Sequence, residues 1–528
     1  MIRVLSKIAR FVPFRVSVVQ LLMLLCATAA SAAPPSPQEP LVGMYVHQHW
    51  AYNHPYAART WTIEDWTGYL DGIKKLGYNT VLIWPVLETV PEPMTPSDRE
   101  NLERIGQVID IAHNQFQMRA YFVLCPNNRG SERAAEYTFQ DRPFFGTERR
   151  VNPADPVEMG KLMAWRKELI TPLKNADGIF IIDSDPGGWP FSTNLDFVSI
   201  LRAHRFIMDE VRPEMELVYW SAFGWEAYAR FYETGEIKRG TDDEFHEAVH
   251  LIAGNRLEPW WIASMSGPLL TPTLNMPQKI LSFNYGAIEW EPSFPLTNFD
   301  EARAMAGGKN KGQLGVLGNA QTHCVQLPAT FQFAAGAQGR TLTREDYVAF
   351  AEDLLTGHGE LVVRGWEALN ATDPAAIHAV AGELATLLGQ DLQTGPLKGL
   401  LFGDAQRFVD DLVKQLAMQA DILALHGLAF SEAPDPAALK AAFQRMIASH
   451  EAWQQKHNYK NNWHHAKLWE ALNRLGPAAA RSNETIAKNV FVGEGETMFD
   501  KVQDGLRRME TFAVRLIGAM KADAAAMP

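Results

Sequence analysis

Between residue 41 and about residue 336, short apolar runs alternate with amphipathic helical segments, and this alternation limits the fold more than any other feature. Leu41–Val46 is the first run. Thr62, a helix-capping residue, then precedes Ile63, Trp66, Leu70 and Ile73 at helical spacing, and Gly77 closes that segment. Thr80–Val86, Arg119–Leu124, Gly178–Ile182 and Glu216–Trp220 read as four further strands. Helical stripes separate them, carried by Leu102, Ile105 and Ile109, by Leu162, Trp165 and Leu169, and by Phe197, Leu201 and Met208. Gly178–Ile182 is almost wholly β-branched or aromatic, as a strand buried on both faces should be. Pro259–Ser264, Lys279–Asn284 and Gly315–Gly318 bring the set to eight. The βαβα order predicts a parallel sheet, here a closed (β/α)₈ barrel over 41–340. A doubly wound open sheet is the competitor. A Gly-rich phosphate loop after the first strand would favour it, and this chain has the bulky His47-Gln48-His49-Trp50 there.

After residue 340 the strand-like runs cease. Segments 345–369, 376–389, 400–427, 436–456 and 463–475 read as helices, and a last helix carries Phe499, Val502, Leu506, Met509, Ala513, Leu516 and Met520 on one stripe. An α-helical domain over 341–528 is expected, in which Trp463-His464-His465 reads as structural. At the other end, Arg3, Lys7, Arg10 and Arg15 lead into the apolar Val16–Ala30 and the cleavage pattern Ala30-Ser31-Ala32. This is the pattern of a signal peptide over 1–32, followed by a Pro-rich linker over 33–40. The apolar run is shorter than the roughly 20 residues a bilayer span requires. Export to the periplasm or the medium is expected, with no stable membrane insertion after cleavage.

A net charge of -12 argues against nucleic acid as a partner. Cys125 and Cys324 are the cysteines beyond the leader, and they fit either one disulfide or two buried thiols. No cofactor is expected.

In such a barrel the chemistry sits where the strands end. The fourth strand ends in Asp183-Ser184-Asp185-Pro186-Gly187-Gly188-Trp189. Two carboxyls two residues apart in an extended strand project together, and their proximity raises one pKa, leaving a general acid beside a charged partner. Asp183 could instead cap a neighbouring backbone, with Asp185 starting a turn. The seventh strand ends in Tyr285-Gly286-Ala287-Ile288-Glu289-Trp290-Glu291, a second carboxyl pair. Carboxyls after strands four and seven would flank a glycosidic bond. Glu88 ends the second strand. His47 and His49 follow the first at the same two-residue spacing, suited to a sugar hydroxyl or, in a different reading, a metal. Asn319, Gln321, Thr322 and His323 form a polar cluster after the eighth. Trp50, Trp84, Trp189, Trp220, Trp225 and Trp290 fall at or past strand ends, where an indole face covers the C–H face of a sugar ring.

An exported barrel, an acidic pair ending strand four, Trp-rich rims and a helical C-terminal domain together resemble the retaining glycoside hydrolases of the N-acetylhexosaminidase type. The resemblance implies that Asp183 polarises the substrate's acetamido group, that Asp185 protonates the leaving oxygen, and that Tyr285 or Asn319 holds the acetamido carbonyl. Those enzymes carry adjacent Asp-Asp or Asp-Glu, or Asp-x-Glu, and Asp183-x-Asp185 departs from each. The leading expectation is therefore an exported glycoside hydrolase acting on an oligo- or polysaccharide. The catalytic candidates are Asp183, Asp185, Glu289 and Glu291. The substrate-binding candidates are His47, His49, Trp50, Trp84, Glu88, Trp189, Trp220, Tyr285, Trp290, Asn319, Gln321 and His323. The alternatives are a non-catalytic glycan-binding barrel and a metal-dependent hydrolase built on His47 and His49.

Overall fold

The computed structural model describes residues 39–528, except 185–186, 237, 266–279, 290–295, 300, 461–464, 483–492 and 510. Strands β1 (Leu41–His47), β2 (Thr80–Trp84) and β3 (Arg119–Leu124) are followed by the short β4 (Asn128–Gly130) and β5 (Glu148–Arg150). Then come β6 (Gly178–Ile182), β7 (Glu216–Ser221), β8 (Trp260–Ser264), β9 (Ile280–Asn284) and β10 (Gly315–Ala320). β4 and β5 pair antiparallel as a hairpin in the loop after β3, and the other eight close a barrel in the order β1-β2-β3-β6-β7-β8-β9-β10. Every barrel pairing is parallel, including the closing one, which sets Tyr45 beside Asn319.

Helices α1 (Ile63–Leu76), α2 (Pro96–Asn114), α3 (Pro156–Ile170), α4 (Asn194–Val211), α5 (Trp225–Thr234), α6 (Asp242–Ala253), α7 (Glu301–Lys309) and α8 (Leu327–Ala337) follow the strands. Their starts are written in the sequence. Thr62 with Asp65 and Thr95 with Asp98 form reciprocal capping boxes, each side chain accepting from the other residue's backbone amide. Gly77, at φ 102°, closes α1 in the left-handed conformation.

Alternation along the strands divides the side chains into two layers. Tyr45, Leu82, Val123, Phe180, Ile182, Trp220, Phe283 and Leu317 belong to the cluster that fills the barrel. Val46, Val81, Phe122, Ile179, Ile181 and Tyr219 point the other way, into the layer between strands and helices. The barrel is therefore a packed core, and any site must lie above it.

Among the described residues the remaining α-helices are α9 (Arg344–Leu354), α10 (Gly359–Ala368), α11 (Pro374–Ala385), α12 (Ala405–Ala429), α13 (Pro436–Lys456), α14 (Ala466–Leu475), α15 (Pro477–Ser482), α16 (Met498–Met509) and α17 (Phe512–Ala526). The segment expected as one helix over 345–369 is two. The backbone is extended at Leu355 and left-handed at Gly357, and Glu352 accepts from the Gly357 and Gly359 amides at the break. The last apolar stripe likewise spans two helices, α16 and α17. Tyr347, Phe350, Trp366, Leu412 and Leu416 share the strand–helix core. Met418, Phe443, Trp453, Leu472 and Leu516 form a cluster of their own. Among the described residues no helix is long and apolar enough to cross a membrane.

A buried ionic network ties these helices to the loop after β1. Asp411 of α12 accepts from Tyr56 Oη and from Arg407, and its Oδ1 lies 2.7 Å from Lys456 Nζ. Asn53 donates to the Gln455 carbonyl at 3.0 Å, and Asn458 donates to the Ala51 carbonyl at 3.1 Å. Removing one member of such a network strands its partners' charges in a buried place. Asp411→Ala is expected to destabilise the chain by about 3–5 kcal/mol in urea unfolding, whereas a surface control such as Asp391→Ala leaves the midpoint unchanged.

Candidate functional site at the barrel mouth

A parallel strand that stops leaves backbone amides in the next loop without a ladder partner. Buried amides must find one. Three carboxylates supply it, each reaching from the end of one barrel strand to the loop after its neighbour. Glu88, in the single 3-10 turn Leu87–Thr89 after β2, accepts from the Cys125 amide after β3 and from Trp84 Nε1 at 3.1 Å. Asp183, after β6, accepts from the Ala222 and Phe223 amides after β7, both at 3.1 Å, and from Tyr219 Oη at 2.9 Å. Glu289, after β9, accepts from the Gln321 amide after β10, from the Thr322 amide at 3.0 Å and from Thr322 Oγ1 at 2.8 Å.

All three carboxyls are buried, and burial opposes their charge more than the donors favour it. Asp183 is pushed up to about 6 and Glu289 to about 7, while Glu88 is raised, with the charge of Arg166 and the Cys125 and Trp84 donors pulling against burial. Asp183 lies one residue beyond Ile182, which points into the barrel, so it faces the helix side together with Tyr219. The sequence reading has it project with Asp185 toward a substrate. The structure gives it the alternative role, capping the backbone of the neighbouring loop. Asp185, Trp290 and Glu291 lie outside the described residues, as do Trp463 and His464.

The uppermost inward positions of the packed core are aromatic. Trp220 meets Phe283 at 4.3 Å between ring centres and Tyr45 edge-on at 5.5 Å. His47, two residues on from Tyr45, stands edge-on to Trp84 at 4.8 Å. His49 stacks on His47 at 5.0 Å and on Trp50 at 4.4 Å, with Phe144 at 4.2 Å. The His49 amide donates to His47 Nδ1 at 2.7 Å, which fixes His47 with its proton on Nε2. Burial first, then Arg59 and the His323 imidazole at His47, and the His47 imidazole and Arg59 at His49, hold both rings well below the usual histidine range, so both are neutral. Among the described residues no three His, Cys, Asp or Glu side chains group as metal ligands.

Polar groups without protein partners mark the inner wall. Asn319 accepts from the Gly286 amide at 2.7 Å through Oδ1, while its buried Nδ2 has no partner. Trp220 Nε1 and His49 Nε2 are likewise buried and unpartnered. Trp50 Nε1 donates to Gln321 Oε1. Tyr285 and Trp189 are half-buried. His323 turns away, its Nδ1 at 2.5 Å from Tyr69 Oη of α1, and burial pushes it down to about 3. Trp225 packs on Phe197 at 5.4 Å in the strand–helix layer. Cys125 and Cys324 are separate buried thiols.

Two arginines that the sequence does not single out shape the mouth. Arg59 donates to the Gln48 carbonyl at 2.9 Å, to Phe139 at 2.9 Å and to Arg142 at 2.8 Å. Arg142 forms a bidentate pair with Asp98 at 2.6 and 2.9 Å and donates to Ala134 at 2.9 Å. Both are 1% exposed. Together they bind the loop of Phe139, Phe144 and Phe145 to the interior cluster.

No family model and no curated protein matches the chain. Among solved structures it is similar to PhdJ bound to a substrate intermediate, at 10% identity over 72% of this chain and 96% of that one, with a TM-score of 0.32. It is similar to CpGH84D at 9% identity, covering 91% and 69%, with a TM-score of 0.36. It is also similar to GH5_18 from Streptomyces cattleya in complex with GlcNAc, at 12% identity, covering 57% and 80%, with a TM-score of 0.34.

The raised carboxyls make stability depend on pH. Asp183 and Glu289 bind their protons more tightly in the folded chain than their ordinary values of 3.8 and 4.5 allow when unfolded. Their contribution is fully present below about pH 4 and is lost as pH rises through about 6 to 7, on the order of 3 kcal/mol for each. Urea midpoints are expected to fall between pH 5 and pH 7.5, and Glu289→Gln is expected to reduce that fall. An unchanged slope in the variant counts against a proton on Glu289.

Proposed function

We propose that this chain is an exported glycoside hydrolase that takes a sugar into the mouth of its barrel. The observation that carries the reading is the lining formed by the described residues, which is aromatic and bears polar groups without charge. Tyr45, Trp220, Phe283 and Tyr285 supply rings, and Asn319 Nδ2, Trp220 Nε1, Gln321 and the neutral His47 and His49 supply hydrogen-bonding groups. Such a lining fits a neutral polyhydroxylated ligand, whose C–H faces pack on rings and whose oxygens accept from the unpartnered donors. Export rests on the leader sequence at residues 1–32.

In this mechanism Asp185 protonates the glycosidic oxygen, and Glu291 acts on the opposite side as nucleophile or as base toward water. Their loops follow β6 and β9, three strands apart around the barrel. Asp183 and Glu289 serve as positioning residues for the loops after β7 and β10. In an acetamido-assisted variant of the reaction, Asn319 Nδ2 donates to the acetamido carbonyl.

A second reading is favoured by the way Asp183 and Glu289 are consumed in backbone hydrogen bonds: a glycan-binding barrel without turnover. Asp185→Asn separates the two. For the hydrolase, kcat is expected to fall about 10²–10⁴-fold with glycan affinity kept within about threefold. A wild-type chain that binds glycans across a broad screen but cleaves none establishes the second reading. Asn319→Ala is expected to weaken binding about fivefold under either, the worth of about one hydrogen bond, measured by calorimetry.

A further inference from the structure

The loop after β6 presents another aromatic surface beyond the mouth. Phe191, two residues after Trp189, is 82% exposed. Its backbone lies at φ 63°, in the left-handed region that a bulky side chain rarely adopts. Several bonds hold it there. The Phe191 amide donates to Glu233 Oε1 at 3.2 Å, and the Asn194 amide donates to Glu226 Oε1 at 2.9 Å. Ser192 donates to the Trp189 carbonyl through both its amide, at 3.1 Å, and its hydroxyl, at 2.7 Å. Asn127 Nδ2 reaches the Gly188 carbonyl at 3.0 Å from the end of β3. Glu226 and Glu233 belong to α5, whose Tyr228, Phe231 and Tyr232 pack with the barrel's interior cluster. The loop is therefore fixed to the wall of the mouth.

Two further apolar side chains are exposed at helix starts. Leu195, in the first turn of α4, and Val157, in the first turn of α3, are each 64% exposed. Helices in this fold start where strands end, so all three side chains stand on the face that carries the mouth. Val86 and Phe402, also left-handed, are buried, whereas Phe191 holds its strained backbone with its ring in solvent, where the ring gains no packing in return.

We propose that Phe191 is a stacking platform for the outer units of an extended glycan, which makes the ligand an oligo- or polysaccharide chain longer than the unit held in the mouth. The inference rests on the sugar-binding reading above. The ring covers the C–H face of a pyranose, and the neighbouring Glu226 and Glu233 are committed to the backbone amides of the loop.

The test compares chain lengths. Affinities of wild type, Phe191→Ala, Phe191→Trp and Phe191→Gly are measured for N-acetylglucosamine, chitobiose and chitohexaose, with cellobiose and cellohexaose as a second series. Phe191→Ala is expected to weaken hexaose binding about three- to tenfold and to leave the shortest bound ligand within about twofold. Phe191→Trp restores the hexaose affinity. Phe191→Gly weakens it like the alanine variant yet raises Tm, because glycine relieves the left-handed backbone. Equal hexaose affinity in wild type and Phe191→Ala overturns the proposal, as does an equal loss at every length. Wild-type protein that binds neither series, nor any glycan in a broad screen, removes the sugar-binding reading itself.

Discussion

Hydrogen bonding at the ends of parallel strands is the constraint on which the rest of this structure depends. A closed parallel barrel satisfies its backbone along the strands and then releases eight loops at one end. Glu88, Asp183 and Glu289 each bridge one strand end to the amides of the next loop, at the second, fourth and seventh positions of the barrel. The bridges are buried, so each carboxyl loses hydration and gains directed donors in exchange. This makes them fixed points. The first residues of the loops after β3, β7 and β10 are thereby tied to the strand beside them.

The arginines complete the same scheme from outside. Arg59, Arg142 and Arg166 donate chiefly to backbone carbonyls of the loops after β1 and β3, which are the complementary unpaired groups. Carboxylates hold amides and guanidinium groups hold carbonyls. Among the described residues, His47 and His49 stand neutral on the inner side, while these carboxyl and guanidinium groups are spent on the backbone of the loops.

The barrel was legible in the sequence because eight apolar runs and their helical spacers carry distinct periods. β1, β2, β3, β6 and β7 lie within two residues of the sequence reading at each end, and β8, β9 and β10 within two as well. The face taken by Asp183 was not legible. Phe180 and Ile182 point inward and Ile179 and Ile181 outward, yet all four are apolar, so a strand buried on both sides hides its own parity. The hairpin β4–β5 escaped the reading because three-residue strands carry too few alternations to register. Arg59 and Arg142 escaped it because nothing local to either residue reveals which distant carbonyls it will meet.

The attachment of α12 and α13 to the loop after β1 has a consequence for how the chain folds. Tyr56 waits for Asp411, Asn53 for Gln455, and Ala51 for Asn458, partners about 350 to 400 positions away. The wall of the mouth beside His49 and Trp50 is therefore assembled only after almost the whole polypeptide has emerged. Loop-closure entropy rises slowly with length, so the equilibrium penalty for such distant contacts is small, but the kinetic penalty is not. The finished wall of the mouth is expected to be the last feature this protein acquires, well after its secondary structure, and the first to be lost when its C-terminal helices loosen.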